Sequence, residues 1–183
     1  MKNTNHSLFD KYEMIKDLGT GSSGSVTLVR HISMDQERAL KKVPKASAFA
    51  ESALSEARLL KSLEHPSIPR IFDFEEDNAF YYIVEEYIDG ETLDSFLLHQ
   101  QLISPGLFFN ICEQLCNIFI YLHTQISTPI IYRDLKPEHI IVCHNKLKLI
   151  DFGVSAYVIQ DGNNFNHYGN IQFPAPECFT EDT

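Results

Sequence analysis

The sequence predicts an α+β chain of two lobes, because the period of its apolar residues changes once along the chain. Between residues 12 and 86 most apolar residues alternate with a period of two, which is typical of strands, and one segment with a period of 3.6 interrupts them. From Leu93 onward the period is 3.6. We therefore expect a five-stranded antiparallel sheet with one helix over residues 10–87 and a mainly helical lobe over residues 88–183.

Turn residues divide the first lobe into its elements. Strands are predicted at residues 12–18, from Val26 onward, and at 37–43, 70–75 and 80–86. The helix is predicted over residues 50–63. It ends before the pair His65-Pro66, because the residue that precedes a proline avoids the helical conformation.

A glycine-rich segment follows the first strand, with Gly19, Gly21 and Gly24 separated by small polar residues and a valine, Val26, beyond them. Glycine lets a turn bring its backbone close to a ligand, so that amide hydrogens meet phosphate oxygens without a side chain in the way. The same residues also suit an ordinary hairpin turn. This segment by itself does not separate the two interpretations.

One lysine and one glutamate are predicted to meet on the inner face of the sheet. The period of two places Lys41 with the apolar residues of its strand, whereas the adjacent Lys42 is expected to be solvated. In the helix, Glu56 lies in the middle of the apolar stripe. A buried carboxylate needs a cation, which makes Lys41 the expected partner of Glu56 and Lys61 the alternative. The stripe consists of Ala53, Glu56, Leu60 and Leu63.

Two helices are predicted in the second lobe, at residues 92–99 and 105–124, and the longer one has a proline in its first turn. The inner face of the longer helix is expected to contain Leu107, Ile111, Leu115, Ile118 and Leu122. Cys112 and Cys116 on the same helix lack the spacing of a metal site. We expect them to be buried free thiols.

The stretch from Pro129 to Gly153 brings two aspartates to the ends of apolar runs. Asp134 follows the run at residues 130–132, and Asp151 follows the run at residues 147–150. Both carboxylates are therefore expected at the rim of a buried strand, where they can share one site.

The segment from Tyr132 to His139, reading Tyr-Arg-Asp-Leu-Lys-Pro-Glu-His, resembles the catalytic loop of protein kinases. The Asp-Phe-Gly that begins at Asp151 resembles their magnesium-binding motif, and the Ala-Pro-Glu at 175–177 resembles the motif that closes their activation segment. The Asp-Leu-Lys-Pro sequence in this loop resembles the loop of serine/threonine kinases more than that of tyrosine kinases. The resemblance implies a two-lobed protein-kinase-like fold of α+β class, in which the C-lobe is incomplete.

The resemblance also implies an activity, namely ATP-dependent transfer of the γ-phosphoryl group to a protein hydroxyl, with ATP and Mg²⁺ as cofactors and Mn²⁺ as the alternative metal. Asp134 would orient the substrate hydroxyl or accept its proton, and Lys136 would neutralise charge on the γ-phosphoryl group. Asp151 would bind the metal. The implied nucleotide-binding residues are Gly19, Gly21, Gly24, Val26, Ala39, Lys41, Glu56, Glu86 and Ile141.

The chain departs from the family pattern at His139, where the family's loop has an asparagine. An imidazole nitrogen suits zinc, copper or nickel and not magnesium, so with His139 on the metal side we expect weaker or metal-shifted catalysis. The alternative interpretation is a pseudokinase, a nucleotide-binding regulatory or scaffold module without turnover. A truncated, non-functional gene product is the third.

The family's domain continues beyond the Ala-Pro-Glu motif into several helices, and these have no counterpart before Thr183. Without them the C-lobe is expected to expose apolar surface, which a partner chain or a further C-terminal segment would cover.

Composition excludes some partners and compartments. The formal charge of −10, with 15 basic and 25 acidic residues, argues against nucleic acid as a partner. We expect no membrane span, since no run of about eighteen apolar residues occurs. The four cysteines lack paired spacing, and a reducing, cytoplasmic location is the expectation.

Overall fold

The computed structural model of the chain describes residues 8–21, 24–100 and 102–158. These residues form two units. The first runs up to Glu64 and includes Pro69–Tyr87, and the second consists of His65–Ile68 and the described residues from Ile88 onward. Each unit is described here by itself.

The first unit is built on a five-stranded antiparallel sheet with the strand order β1-β2-β3-β5-β4. The strands are β1 Tyr12–Gly21, β2 Gly24–His31, β3 Gln36–Pro44, β4 Ile71–Glu76 and β5 Phe80–Glu86. All neighbouring strands pair antiparallel, which the short connections between most of them require. The α+β fold class with a five-stranded sheet in the first lobe is confirmed.

A helix and a short helical turn cover the two faces of this sheet. The helix α2 spans Ala50–Lys61 and ends two residues earlier than predicted, although Leu63 beyond it is still buried. Its buried residues pack on one face of the sheet, in a cluster of Val43, Ala53, Ala57 and Ile83. The four residues of the predicted stripe are all buried.

The opposite face of the sheet is apolar as well, which the sequence interpretation missed. The turn α1, Leu8–Lys11, packs on it in a cluster with Tyr12, Val29, Leu40, Tyr82 and Val84. Lys42 on this face is half-buried, and its ammonium lies 4.0 Å from the centroid of the Phe80 ring. A cation over an aromatic face is stabilised by the ring quadrupole.

Two helices, α3 Leu93–Leu98 and α4 Pro105–Ile120, belong to the second unit. The side chain of Ser104 caps α4 by accepting a hydrogen bond from the amide of Leu107 at 3.2 Å. The α-helix ends at Ile120, not at residue 124, because a π-helical turn, Tyr121–Gln125, continues it. On the predicted inner face Ile118 and Leu122 are fully buried, and the other three residues are half-buried.

Short strands hold the loops of the second unit. Strands β6 Glu91–Thr92, β8 Ile140–Cys143 and β9 Lys146–Leu149 form one antiparallel sheet, and β7 Ile130–Ile131 pairs with β10 Ala156–Tyr157. One 3₁₀ turn, Pro137–His139, lies just before β8.

Exposed apolar side chains occur on the described part of the second unit, among them Leu98, Leu102, Ile103, Phe108, Phe109 and Ile120. The expectation of buried thiols on α4 is wrong, because Cys112 is half-buried and Cys116 is exposed. Among the described residues, none of the helices combines the length and the apolar character that crossing a membrane requires.

Candidate functional site

The predicted contact between Lys41 and Glu56 is present in the first unit. Lys41 on β3 and Glu56 on α2 form an ion pair, with Nζ and Oε2 2.6 Å apart. The Glu56 side chain is 7% exposed and that of Lys41 is 18% exposed. The alternative partner, Lys61, lies at the exposed end of the helix. The role of the pair in holding nucleotide phosphates stays a prediction.

The three glycines where β1 ends and β2 begins have two different structural roles. Gly24 has φ near 137°, and a Cβ there would lie 2.2 Å from the carbonyl oxygen of Lys42 on β3, so the close approach of two backbones requires glycine. A Cβ at Gly19 or Gly21 would meet nothing within 4 Å. Open space at these two positions is what close approach of a ligand to the backbone needs.

The other predicted nucleotide-binding residues of the first unit lie on β2, β3 and β5. Val26 pairs with Lys41 across the two strands, so both belong to one rung of the sheet. Ala39 is buried. Glu86 ends β5, and its amide donates a hydrogen bond to the carbonyl of Arg70 at 2.9 Å. Their part in binding a nucleotide stays a prediction.

Asp134 and Lys136 share a loop of the second unit, between β7 and the 3₁₀ turn. The Lys136 Nζ lies 3.3 Å from the Asp134 Oδ2. A carboxylate beside an ammonium is the arrangement in which one group handles the proton of a hydroxyl while the other neutralises charge on a phosphoryl group. The two predicted catalytic residues are therefore neighbours in space as well as in sequence.

His139 is buried and contacts both predicted aspartates. Its Nδ1 lies 3.1 Å from the carbonyl oxygen of Asp134 and 3.3 Å from that residue's Oδ2. Its Nε2 lies 3.3 Å from the Oδ2 of Asp151. His139, which stands where the family's loop has an asparagine, thus lies against both carboxylates.

Asp151 follows β9 in an unusual backbone conformation. Its φ is 61°, and Arg133, beside Asp134, has a φ of 71°. Left-handed conformations are costly for residues other than glycine and concentrate at functional sites. The Asp151 Oδ1 accepts a hydrogen bond from the amide of Gly153 at 3.3 Å. Ile150, just before it, donates its amide to the carbonyl of His139 at 2.9 Å and so ties the two loops together.

Tyr132 fixes the floor of these loops. It is buried, and its ring packs edge-on against Phe152 with centroids 5.1 Å apart. The tyrosine hydroxyl donates a hydrogen bond to the carbonyl of Ile150 at 2.5 Å and lies 3.3 Å from the His139 Nδ1. Sequence reasoning missed these polar contacts, although a hydroxyl on a buried ring always needs a partner.

The remaining predicted residues divide between described and undescribed parts of the chain. Ile141 lies on β8 opposite Thr92 of β6, in contact range of the tight turn at Gly90. Ser155 donates its hydroxyl hydrogen to the carbonyl of Tyr132 at 3.0 Å. The Ala-Pro-Glu motif at 175–177 lies outside the described residues.

The donors available to a metal are few. In the part of the chain that the structure describes, no group of three or more His, Cys, Asp or Glu side chains is placed to hold a metal ion. The oxygen of Asp151 fits Mg²⁺, whereas the imidazole of His139 does not, because Mg²⁺ prefers oxygen ligands. The side chains that face each other here therefore fit the expected magnesium only in part.

A sequence profile of the protein kinase domain matches residues 12–183. The chain belongs to the protein kinase family. The match covers nearly all of the chain, and similar curated proteins place this kinase among the serine/threonine kinases, as predicted from its Asp-Leu-Lys-Pro loop.

Three similar kinases come from distant organisms. The serine/threonine-protein kinase PrkC of Bacillus subtilis is 30% identical over 91% of this chain and 26% of its own length. Calcium-dependent protein kinase 4 of Plasmodium falciparum is 33% identical over 97% of this chain and 35% of its own length. The serine/threonine-protein kinase ppk25 of Schizosaccharomyces pombe is 34% identical over 88% of this chain and 39% of its own length. The chain therefore spans well under half the length of these relatives.

Proposed function

We propose that this member of the family transfers the γ-phosphoryl group of ATP to a serine or threonine hydroxyl of a protein substrate. The observation that carries the proposal is the ion pair of Lys41 with the buried Glu56, in which Nζ and Oε2 are 2.6 Å apart. A lysine held by a buried carboxylate presents a fixed positive charge, which suits the α- and β-phosphates of a nucleotide. We take residues 10–87 and 88–183 as the two lobes of a single domain.

The chemical step falls to residues of the second unit. Asp134 orients the attacking hydroxyl and takes its proton, while Lys136, 3.3 Å away, neutralises charge on the transferred group. Asp151 supplies a carboxylate oxygen for the divalent cation. A divalent cation held there would supply positive charge to the phosphates during transfer.

The glycine segment and the first-unit strands would hold the nucleotide. The open space at Gly19 and Gly21 supports close approach of phosphates to the backbone. Val26, Ala39 and Glu86 are the proposed adenine-side residues of this unit, and Ile141 is that of the second unit. A cytoplasmic location is part of the proposal and rests on cysteine usage alone.

A pseudokinase is the second candidate, and one observation favours it. His139 stands where the family has asparagine and lies against both aspartates at 3.3 Å. The imidazole ring of His139 changes the ligand atoms that the site offers to a cation. If no cation is held there productively, the expected behaviour is nucleotide binding without turnover.

The test compares binding with turnover in the same chain. ATP with Mg²⁺ or Mn²⁺ should raise the melting temperature, and labelled phosphate should appear on a serine/threonine peptide library. Asp134→Asn should reduce transfer by about 10²- to 10⁴-fold and keep the thermal shift. Asp35→Asn, a substitution at an exposed hairpin position, is the matched control and should change neither.

Each outcome assigns a function. A thermal shift without transfer in the unmodified chain supports the binding module. Transfer that survives in Asp134→Asn contradicts the assigned catalytic residue. No thermal shift with any of the cations contradicts both candidates.

A further inference from the structure

The strand β1 forms one edge of the sheet in the first unit, and it is the most exposed strand of that sheet. Among the described residues, β2 is the only strand that pairs with it. Every residue of β1 after Tyr12 is exposed, including the apolar Met14, Ile15 and Leu18. A long edge strand presents unpaired amide and carbonyl groups that a strand of another chain can pair with. The edge at β1 is therefore a candidate interaction surface.

A bulge at Ile15 sets which side chains of β1 share a face of the sheet. Glu13, Met14 and Lys16 pair in that order with consecutive residues of β2, from 30 back to 28, and Ile15 has no partner there. Alternate residues of β2 face the same way, so the first and third of these rungs share a face. Glu13 and Lys16 therefore lie on one face of the sheet, one rung on either side of Met14.

Glu13 and Lys16 are exposed and carry opposite charges. Neither side chain forms an ion pair with another described residue. Because the two residues are one rung from Met14 in opposite directions, a two-fold axis at Met14 places Glu13 of each copy opposite Lys16 of the other. Residues directly opposite each other in antiparallel strands have Cβ atoms about 4.5 to 5.5 Å apart, which lets such side chains form an ion pair. The edge of β1 is thus complementary in charge to itself.

We propose that β1 pairs antiparallel with β1 of a second copy of this chain, with the two-fold axis at Met14, so that the sheets of two first units form one continuous sheet. Each copy contributes Glu13 to one ion pair and Lys16 to the other. Met14, whose side chain is 46% exposed in the single chain, meets its own counterpart and is removed from water. This contact goes beyond the proposed function, because it requires neither nucleotide nor phosphoryl transfer.

Sedimentation equilibrium of the full chain without nucleotide measures this association. The unmodified chain should dimerise as its concentration rises. Glu13→Lys should weaken dimerisation at least about tenfold, because it places two lysines opposite each other in both pairs, and Lys16→Glu should do the same with two glutamates. The double variant, Glu13→Lys with Lys16→Glu, exchanges the two charges at constant net charge and should restore dimerisation.

Glu113→Lys is the matched control for the change in net charge. Glu113 is an exposed residue of α4 in the second unit, and its substitution makes the same charge change as Glu13→Lys. This variant should dimerise like the unmodified chain.

A cross-link tests the position of the two-fold axis without changing any charge. In Met14→Cys, mild oxidation should join two copies through a disulfide at position 14, because opposite residues of paired strands have Cα atoms within disulfide range. Mass spectrometry of the peptides distinguishes this disulfide from any that involve the four natural cysteines.

Each result decides for or against the strand pair. Loss of dimerisation in both single variants, recovery in the double variant and cross-linking at position 14 support it. Dimerisation that persists in both single variants, or that Glu113→Lys abolishes instead, assigns the contact to another face and overturns the inference. A chain that stays monomeric at every concentration also overturns it, and a strand of a different protein is then the remaining occupant of this edge. If a charge variant does not fold, as judged by circular dichroism, the cross-link in Met14→Cys decides alone.

Discussion

Replacing Lys41 with methionine tests whether the ion pair of Lys41 with Glu56 stabilises the fold more than a solvent-exposed pair does. Lys41 Nζ and Glu56 Oε2 are 2.6 Å apart. In an effective dielectric of about 20, two unit charges at that distance attract by about 6 kcal/mol before desolvation is subtracted. Removing one partner of a buried pair costs about 3 to 5 kcal/mol of unfolding free energy, because the other charge stays buried without compensation. Since Lys41 retains some solvent contact, we expect Lys41→Met to lose about 3 kcal/mol of unfolding free energy.

The pair of Lys45 with Glu76 provides the control, because its length is 2.7 Å but its glutamate is 55% exposed. Lys45→Met should lose far less stability, since solvent screens exposed pairs and compensates the remaining charge. Urea unfolding of the full chain followed by circular dichroism measures both losses. The double variant Lys41→Met with Glu56→Leu should be more stable than Lys41→Met alone, because it leaves no buried charge. Equal losses at Lys41 and Lys45, or no recovery in the double variant, would refute this reasoning.

Two further predictions concern backbone strain and pH. Gly24→Ala should destabilise the chain by about 1 to 3 kcal/mol, because alanine is strained at that φ and its Cβ would overlap the Lys42 carbonyl. Gly19→Ala should cost much less, since a Cβ there meets nothing within 4 Å. Equal urea midpoints of the two variants would contradict this prediction. Burial, with a smaller effect of the charge on Lys148, lowers the pKa of His65, so its contribution to stability is complete above the ordinary histidine pKa of about 6.5 and is lost as the pH falls through the lower folded pKa. The urea concentration at the unfolding midpoint should therefore decrease as the pH is lowered from about 7 to about 5. The decrease should be smaller in His65→Asn.

Periodicity predicted the elements of the first unit because it records which side of each element is buried. The alternation at residues 37–43 and the helical stripe through Glu56 placed Lys41 and Glu56 on facing surfaces, and the ion pair is present. Local patterns could also define where α2 begins, since it starts at Ala50 as predicted. The prediction of where α4 ends was less accurate, because a π-helical turn has no distinct hydrophobic period.

The packing of α1 on the sheet face opposite α2 could not be predicted from local sequence patterns. Leu8 and Lys11 precede the first predicted strand, in a segment for which no helix or strand was predicted. Their burial depends on distant partners: the Leu8 amide donates to Glu75 at 2.5 Å and Lys11 pairs with Asp73 at 2.8 Å. Contacts across more than sixty residues of sequence leave no periodic signal in either segment.

The sequence alone determined the family and the fold class, because these depend on residue types at short spacings and on local periodicity. The roles of the two aspartates stay predictions. The tertiary structure decided where the His139 ring lies and which groups it contacts. The antiparallel pairing of β8 with β9 sets Ile140 against Leu149, and this register brings Asp151 back beside a residue twelve positions earlier in the chain. Spacing places His139 five residues after Asp134, but only the fold of the loop turns Nδ1 toward one aspartate and Nε2 toward the other.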